Sequence, residues 1–235
     1  MSIATNISAI KAEIGQSHVK LVAVSKNKSI EDLMEAYRAG QRVFGENIVQ
    51  ELIEKQEQLP KDIEWHLVGH LQSNKVKYIA PFISLIHSVD SLDLLQEINK
   101  QASKNNRVID CLLQLSIADE DNKFGLELDE AITLLRSPVY PELKNIRLVG
   151  VMGIASNTDN PKQIKEEFYE LNTFFKGLKQ SFFRNTDSFK EISMGMSNDY
   201  KIAIEQGSTM VRIGSTIFGQ RIIKHFKIEN KSSLN

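Results

Sequence analysis

Two stretches that lie far apart in the chain carry residue types able to act together on a phosphorylated carbonyl compound. Lys26 ends the apolar run Val22–Ser25, and Arg212 precedes the pair Gly214 and Ser215 near the other end of the chain. A lysine amine can form a reversible imine with a carbonyl group. A glycine and a serine that open a short helix can hold a phosphate with backbone N–H groups. A lysine that ends an apolar strand is, by itself, more typical of a solvated loop.

The elements that must position these residues alternate between short apolar runs and amphipathic segments. The apolar runs predict eight strands, namely Leu21–Ser25, Arg42–Phe44, Glu64–Val68, Leu85–Ser88, Ile109–Leu115, Arg147–Met152, Glu191–Met194 and Met210–Ile213. The segments between them predict helices at Ile30–Ala39, Ile48–Gln58, Gln72–Ala80, Ser91–Lys104, Glu127–Arg136, Lys162–Ser181, Tyr200–Gln206 and a short one after Ser215.

Strict alternation of strand and helix favours parallel βαβ units, and eight of them in 235 residues fit a (β/α)8 TIM barrel better than a doubly wound sheet. Isoleucines at helical spacing from Ile3 to Ile14 predict an extra N-terminal helix. We therefore predict one domain over residues 1–235, with the N-terminal helix in 1–17, the barrel in 20–221 and a polar tail in 222–235.

In a (β/α)8 barrel, the functional groups lie at the carboxyl ends of the strands and in the loops that follow. The polar residues predicted to gather there include Lys26, Glu46, Asn47, His70, His87, Asp90, Ser197, Asn198, Arg212, Gly214 and Ser215. Barrels often bind phosphate with the loops after strands seven and eight, so Ser197, Gly214 and Ser215 are the predicted phosphate site. The alternative for these three residues is an ordinary glycine-serine turn between core elements.

A phosphate site together with a lysine suggests a phosphorylated aldehyde held as an imine, and pyridoxal phosphate satisfies both demands. The amine must be neutral part of the time, and a cavity shared with cationic Arg212 favours the neutral form. A guanidinium has only donors, so Arg212 at the pyridine nitrogen would leave that nitrogen unprotonated and the cofactor a poorer electron sink. A barrel enzyme that uses Lys26 on a sugar phosphate aldehyde is a further alternative.

Composition excludes several other classes of protein. The net charge of -1 argues against a nucleic-acid partner, and no stretch is long and apolar enough for a membrane span. The single cysteine, Cys111, lies in a mostly apolar run and indicates a reducing, cytoplasmic location. His66 and His70 lie in a strand and a turn, where four-residue spacing does not bring two imidazoles together, so we predict no metal site.

Several ordered motifs make the chain resemble a known family. They are Ala23-Val24-Ser25-Lys26, Phe44-Gly45-Glu46-Asn47, Trp65-His66, Gly69-His70-Leu71-Gln72-Ser73-Asn74-Lys75, His87-Ser88-Val89-Asp90-Ser91, Met194-Gly195-Met196-Ser197 and Arg212-Ile213-Gly214-Ser215. Over residues 20–221 the chain resembles the pyridoxal phosphate homeostasis protein family (YggS/PROSC), whose fold is similar to the barrel domain of alanine racemase. Asn27, Ile48 and the segment Val151–Ala155 depart modestly from the family pattern.

The resemblance implies that Lys26 forms the imine with pyridoxal 5'-phosphate, that Arg212 lies at the pyridine nitrogen, and that Asn47 lies near the cofactor. It also implies that Ser197, Gly214 and Ser215 hold the phosphate. His87 is expected to contact the ring or to support it, with a purely structural role equally open.

The function implied is a carrier or buffer of pyridoxal phosphate in vitamin B6 and amino-acid homeostasis, without an established catalytic reaction. We expect a cytoplasmic monomer that can serve pyridoxal phosphate-dependent apoenzymes. The alternative is a weak amino-acid racemase or related enzyme. Only about 14 residues follow Arg221, so the sequence shows no counterpart of the β domain that supplies a catalytic tyrosine in alanine racemase.

Overall fold

A computed structural model describes residues 2–15, 18–118 and 124–219, and its strands close into a parallel barrel in sequence order. This confirms the predicted (β/α)8 fold. The strands are β1 (Lys20–Val24), β2 (Val43–Glu46), β3 (Glu64–Leu67), β4 (Leu85–Val89), β5 (Ile109–Gln114), β6 (Ile146–Met152), β7 (Glu191–Ser193) and β8 (Met210–Ile213). The pairing of β1 with β8 closes the barrel, with Val22 opposite Arg212. Closure therefore brings the two chemically suggestive stretches into neighbouring strands.

The helices cover the outside of the barrel. They are α1 (Ile3–Ile14), α2 (Ile30–Arg38), α3 (Val49–Gln58), α4 (Val76–Ile79), α5 (Leu92–Lys104), α6 (Leu128–Arg136), α7 (Pro161–Phe182), α8 (Tyr200–Glu205) and α9 (Ser215–Phe218). Short 3-10 turns lie at Ser73–Lys75 and Tyr140–Glu142. Serine or asparagine side chains cap the starts of α2, α5 and α7, as expected for helix N-termini.

The predicted helix Gln72–Ala80 was wrong in one respect, because it is divided between the 3-10 turn and the four-residue α4. Gln72 is extended, and no side chain caps the turn that follows it. Lys75 donates its N–H to the carbonyl of Gln72, three residues earlier. Serine and asparagine are weak helix formers in an uncapped first turn, so the tighter turn forms there instead.

The core has two layers because a parallel barrel strand is covered on both faces. All five residues of β4 are buried, including the polar His87 and Ser88. A small cluster fills the barrel interior and contains Leu85, Leu112, Val149, Met152 and Met210. The larger cluster lies between the strands and the helices.

The extra helix α1 supports the end of the chain that carries the predicted phosphate site. It buries Ile7, Ile10 and Ile14, and its Asn6 donates a side-chain N–H to the Ile217 carbonyl of α9 at 2.9 Å. The predicted N-terminal helix is thus present as Ile3–Ile14. It fixes α9 against the barrel.

Within residues 2–15, 18–118 and 124–219, no helix has the length and apolar character needed to cross a membrane. In the same residues, no three His, Cys, Asp or Glu side chains are grouped so that they could hold a metal ion. The predicted polar tail, residues 222–235, lies outside the described residues. The single-domain assignment over the whole chain stays a prediction.

Candidate functional site

A cavity of about 720 Å³ opens at the carboxyl ends of the strands, and 22 residues of the described chain line it. Six of the seven residues predicted to bind a cofactor are among them, namely Lys26, Asn47, Ser197, Arg212, Gly214 and Ser215. Its volume lies within the range typical of pockets for small organic ligands. Barrel closure has therefore brought together groups that are more than 180 residues apart in sequence.

Lys26 follows β1 after one intervening residue, and its side chain is half-buried. Its neighbour Ser25 is fully buried and donates its hydroxyl to Oε1 of Glu46 at 2.6 Å. The buried ammonium of Lys55 donates to the Ser25 carbonyl at 2.6 Å and to Glu46 Oε1 at 2.7 Å. The lysine thus projects from a strand end that buried hydrogen bonds fix in place.

The two loops of the predicted phosphate site are joined by Ser197. Its Oγ accepts the backbone N–H of Gly214 at 3.3 Å and of Thr216 at 3.5 Å. Gly195 precedes this loop with φ +95°, a conformation that favours glycine. A Cβ on Gly214 would lie 3.0 Å from the carbonyl oxygen of Val24, so a small residue there lets the β8 loop approach β1 closely.

Arg212 brings a buried positive charge to the cavity. Its Nη1 donates to the carbonyl and to the hydroxyl of Ser193, both at 2.7 Å, and its Nη2 donates to the Gly153 carbonyl at 2.9 Å. In the described part of the chain these partners are all neutral oxygens. Burial lowers the pKa of Arg212 to about 10, although the nearby Asp199 opposes the shift. The guanidinium therefore remains charged near neutral pH.

His87 is the one predicted cofactor residue that is not among the cavity-lining residues. It is fully buried in the barrel, where Nδ1 lies 2.9 Å from Ser193 Oγ and Nε2 lies 3.0 Å from Nδ1 of His66. Arg212 can only donate to Ser193, and the tautomers of the two imidazoles set which atom donates in the bonds from Ser193 to His87 and from His87 to His66. His87 thus supports Arg212 through Ser193, and a direct contact with a ligand stays a prediction.

His66, His87, Ser193 and Arg212 form a hydrogen-bonded row, and both of its histidines are neutral. Burial, followed by the charge of Lys20, lowers the pKa of His66 to about 3. Burial also lowers the pKa of His87 well below its ordinary value, and His66, Arg212 and Lys20 add to the effect in that order. A neutral imidazole donates through one ring nitrogen and accepts through the other, so two neutral rings can satisfy both hydrogen bonds.

Sequence reasoning missed the buried cluster formed by Glu46, Glu51 and Lys55. Lys55 Nζ lies 2.7 Å from Oε1 of each carboxylate, and its side chain is only 5% exposed. A signal was present in the sequence, because Lys55 shares its helix face with the buried residues Val49 and Leu52. A lysine at the apolar spacing of a helix indicates a buried charge that needs a partner.

Two further features of the cavity also escaped prediction. Asp199 is buried at the start of α8 and lines the cavity, and burial raises the pKa of its carboxyl while the Met196 N–H and Arg212 oppose the shift. The loop between β6 and α7 forms another part of the wall. Ser156 anchors this loop by donating its N–H and its hydroxyl to the two carboxylate oxygens of Glu167, at 2.7 and 2.6 Å.

Comparison with known proteins assigns this chain to a family. The alanine racemase N-terminal domain family matches residues 1–222. The chain is 39% identical to the pyridoxal phosphate homeostasis protein of Aquifex aeolicus, over 90% of this chain and 91% of that protein. It is 37% identical to the protein of the same name from Pasteurella multocida, over 94% of this chain and 98% of that protein.

A solved structure agrees with these matches. PipY of Synechococcus elongatus, solved with PLP bound, superposes with a TM-score of 0.84 at 34% identity, over 93% of this chain and 100% of that chain.

Proposed function

Since the chain belongs to the family of pyridoxal phosphate homeostasis proteins, we propose that it binds pyridoxal 5'-phosphate in this cavity and carries or buffers it through Lys26. The observation that carries the proposal is the meeting of Lys26 and Arg212 in one cavity. Arg212 is a buried cation whose described partners are neutral oxygens, so an anionic or electron-rich ligand would complement it.

The described residues that line the cavity include groups that suit each part of the cofactor. Ser197, Gly214 and Ser215 would hold the phosphate, because all three residues line the same cavity as the cation. Ser197 Oγ accepts two N–H groups, which leaves its own hydroxyl proton able to reach a phosphate oxygen. Asn47 lines the cavity from the loop after β2 and would contact the cofactor there.

Arg212 would face the pyridine nitrogen. A guanidinium has five N–H donors and stays charged, so it can donate to that nitrogen but cannot accept a proton from it. Its hydrogen bonds to Ser193 and Gly153 hold the guanidinium plane in a fixed direction. Arg212 would therefore leave that nitrogen unprotonated, which would favour holding the cofactor over using it as an electron sink.

Lys26 would supply the amine. Pyridoxal phosphate, when bound, supplies an aldehyde that condenses reversibly with a neutral amine and releases water. Lys26 follows β1 and lines the cavity, where its amine would meet the aldehyde. A reversible bond of this kind suits storage and release.

The visible absorption of the purified protein tests the proposal. Wild-type protein mixed with pyridoxal phosphate should gain the absorption band of the lysine-bound cofactor, and borohydride should trap the cofactor on Lys26 in a peptide map. Lys26→Ala should lose the band, whereas Lys77→Ala, which changes a lysine of α4 that does not line the cavity, should keep it. A wild-type protein that gains no band would refute the proposal.

The same incubation separates the carrier from an enzyme. If the protein were an amino-acid racemase, L-amino acids in deuterated water would exchange the Cα proton faster with the protein than with free cofactor. We expect no exchange above that of free cofactor. Faster exchange would contradict the carrier function and support an enzyme that uses the same cavity.

We further propose that the protein acts as a cytoplasmic monomer and passes the cofactor to pyridoxal phosphate-dependent apoenzymes. The buried Cys111 is consistent with a reducing compartment, and the cavity opens to solvent at the carboxyl ends of the strands. Light scattering of the loaded protein should give the mass of one chain. Addition of an apoenzyme should remove the lysine-bound band faster than dilution does, and equal rates would count against direct transfer.

A further inference from the structure

The residues on either side of Lys26 are tied to the same buried cluster, formed by Glu46, Glu51 and Lys55. We propose that these three residues are positioning residues that hold the backbone of Lys26 so that its amine meets the cofactor aldehyde. This inference rests on the proposed function, because it concerns how Lys26 reaches the cofactor. None of the three side chains is itself among the residues that line the cavity.

The residue before Lys26 is held at two atoms. Lys55 donates to the Ser25 carbonyl at 2.6 Å, and the Ser25 hydroxyl donates to Glu46 Oε1 at 2.6 Å. Glu46 and Ser25 are both 0% exposed. Water therefore cannot easily replace these bonds if the strand end shifts.

The residue after Lys26 is held by the third member of the cluster. Asn27 has φ +60°, in the left-handed region that asparagine tolerates better than most residues. Its N–H donates to Glu51 Oε1 at 2.6 Å, and the same oxygen accepts from Lys55 at 2.7 Å. The turn that directs the chain away from Lys26 is therefore fastened to helix α3 by a charged acceptor.

The composition of the cluster argues against stability as its purpose. It combines two carboxylates with one ammonium, and Glu46 Oε2 is buried without a hydrogen-bond partner in the described chain. Burying such charges costs desolvation energy that an apolar replacement of similar volume avoids. The charged groups instead fix the positions of the two neighbours of Lys26, Ser25 and Asn27. Three of the hydrogen bonds of the cluster end on these two residues.

A displaced Lys26 should lose reactivity before the cavity loses affinity. The proposed phosphate contacts and Arg212 belong to β8 and to the loops after β7 and β8, and Asn47 is the one proposed contact that lies next to α3. A small error in the position of a reacting atom can cost on the order of 10- to 100-fold in rate. The cluster should therefore govern the rate of adduct formation and leave noncovalent binding unchanged.

The test compares two glutamates of α3. Glu51→Ala removes the acceptor of the Asn27 N–H. Glu54→Ala is the matched control, because the Glu54 carboxylate accepts from Gln50 at the exposed face of the same helix. Two quantities are measured for each variant. They are the rate of adduct formation with pyridoxal phosphate, from visible absorption, and the dissociation constant of pyridoxine 5'-phosphate, which lacks the aldehyde.

We expect Glu51→Ala to slow adduct formation on the order of 10- to 100-fold with an unchanged dissociation constant for pyridoxine 5'-phosphate. Glu54→Ala should match wild type in both. Glu51→Gln keeps an oxygen for the Asn27 N–H but loses the charge that pairs with Lys55, so it should recover only part of the rate and remain slower than wild type. An unchanged rate in Glu51→Ala, or equal losses of rate and of pyridoxine 5'-phosphate affinity, would overturn the inference.

Failure of the proposed function has a different signature. In that case the wild-type protein itself would bind neither ligand. Should Glu51→Ala not fold, as judged by circular dichroism, Glu51→Gln alone still tests the inference. It should then be slower than Glu54→Gln in adduct formation while binding pyridoxine 5'-phosphate equally well, and rates equal to those of Glu54→Gln would overturn the inference.

Discussion

Two buried polar groups lie beneath the cavity, and they handle charge in opposite ways. The cluster of Glu46, Glu51 and Lys55 pairs its charges internally and carries an excess of negative charge. The row formed by His66, His87, Ser193 and Arg212 contains neutral histidines and a single cation, whose described partners are neutral oxygens.

The difference indicates a division of roles. A cluster whose charges pair with one another can fix the backbone but contributes little attraction to a ligand in the cavity. A buried cation whose described hydrogen bonds all end on neutral oxygens has its direction fixed. Asp199 lies near it but forms no salt bridge with it in the described chain, so an electron-rich ligand in the cavity still gains from the charge. On this view the first group places the amine and the second holds the ring, and four predictions test that comparison.

The largest expected effect is on stability when the internally paired cluster is broken. Lys55→Met leaves two carboxylates without their buried cation, so the free energy of unfolding should fall by about 3 to 5 kcal/mol. Urea denaturation measures this value. Lys100→Met, which removes an exposed ion pair with Glu97, should cost less than about 1 kcal/mol. Equal losses in the two variants would mean that the cluster is not an internally paired unit.

The second prediction concerns the buried cation Arg212. Arg212→Gln should weaken retention of pyridoxal phosphate about 10- to 100-fold, because a charged donor is lost from the cavity. Its effect on the free energy of unfolding should be only about 1 kcal/mol, since removing a desolvated charge offsets the lost bonds. Equilibrium dialysis and urea denaturation measure the two quantities.

Arg147→Gln is the control for that experiment, because Arg147 pairs with Asp110 at the amino-terminal end of β6. It should leave retention unchanged. If Arg212→Gln instead cost as much stability as Lys55→Met, without loss of retention, the division of roles would be wrong.

The third prediction uses pH to test that the histidines are neutral. The folded pKa of His66 is about 3, below the ordinary value of 6.5, so the unfolded chain binds a proton first as the pH falls. Its contribution to stability is present above about pH 6.5 and is lost progressively down to about pH 3. Between pH 6.5 and 5 the loss should be about 2 kcal/mol.

His66→Asn should remove the His66 share of this dependence, about 2 kcal/mol between pH 7 and pH 5 by urea denaturation, while His87 keeps its own share. If His66→Asn kept the wild-type slope, folding would not lower the pKa of His66.

The smallest expected effect comes from Ser193→Ala. The hydroxyl links Arg212 to His87, and its loss leaves His87 Nδ1 without a partner. The cost should be only about 1 kcal/mol, because the Ser193 carbonyl still accepts from Arg212. Retention of the cofactor should fall by a small factor in equilibrium dialysis. A loss of retention as large as that of Arg212→Gln would make the hydroxyl, and not the guanidinium, the essential group.

Much of the fold could be read from local patterns. The alternation of apolar runs with amphipathic segments predicted all eight strands, and Met210–Ile213 was predicted with its observed bounds. The carboxyl ends of parallel strands meet at one face of a barrel, so Lys26 and Arg212 could be assigned to one site without knowledge of contacts. The helix Gln72–Ala80 was not predictable in detail, because an uncapped polar turn depends on packing.

The depth of a side chain within the barrel was not readable from the sequence. His87 lies in a strand whose residues are all buried, so its pattern does not distinguish the cavity from the interior below it. The pairing of β4 with β5 shifts register between Ile86 and Val89, and such shifts decide which side chain reaches the cavity.

By itself, the sequence determined the order of the elements, the barrel class and the face on which the polar residues collect, because these follow from periodicity and strand direction. Only the tertiary structure decided which charges meet. Lys55 reaches Ser25 across 30 positions, and His87 reaches Ser193 across 106. Hydrogen bonds of a few ångströms depend on the closure and register of the whole barrel, which no local pattern encodes.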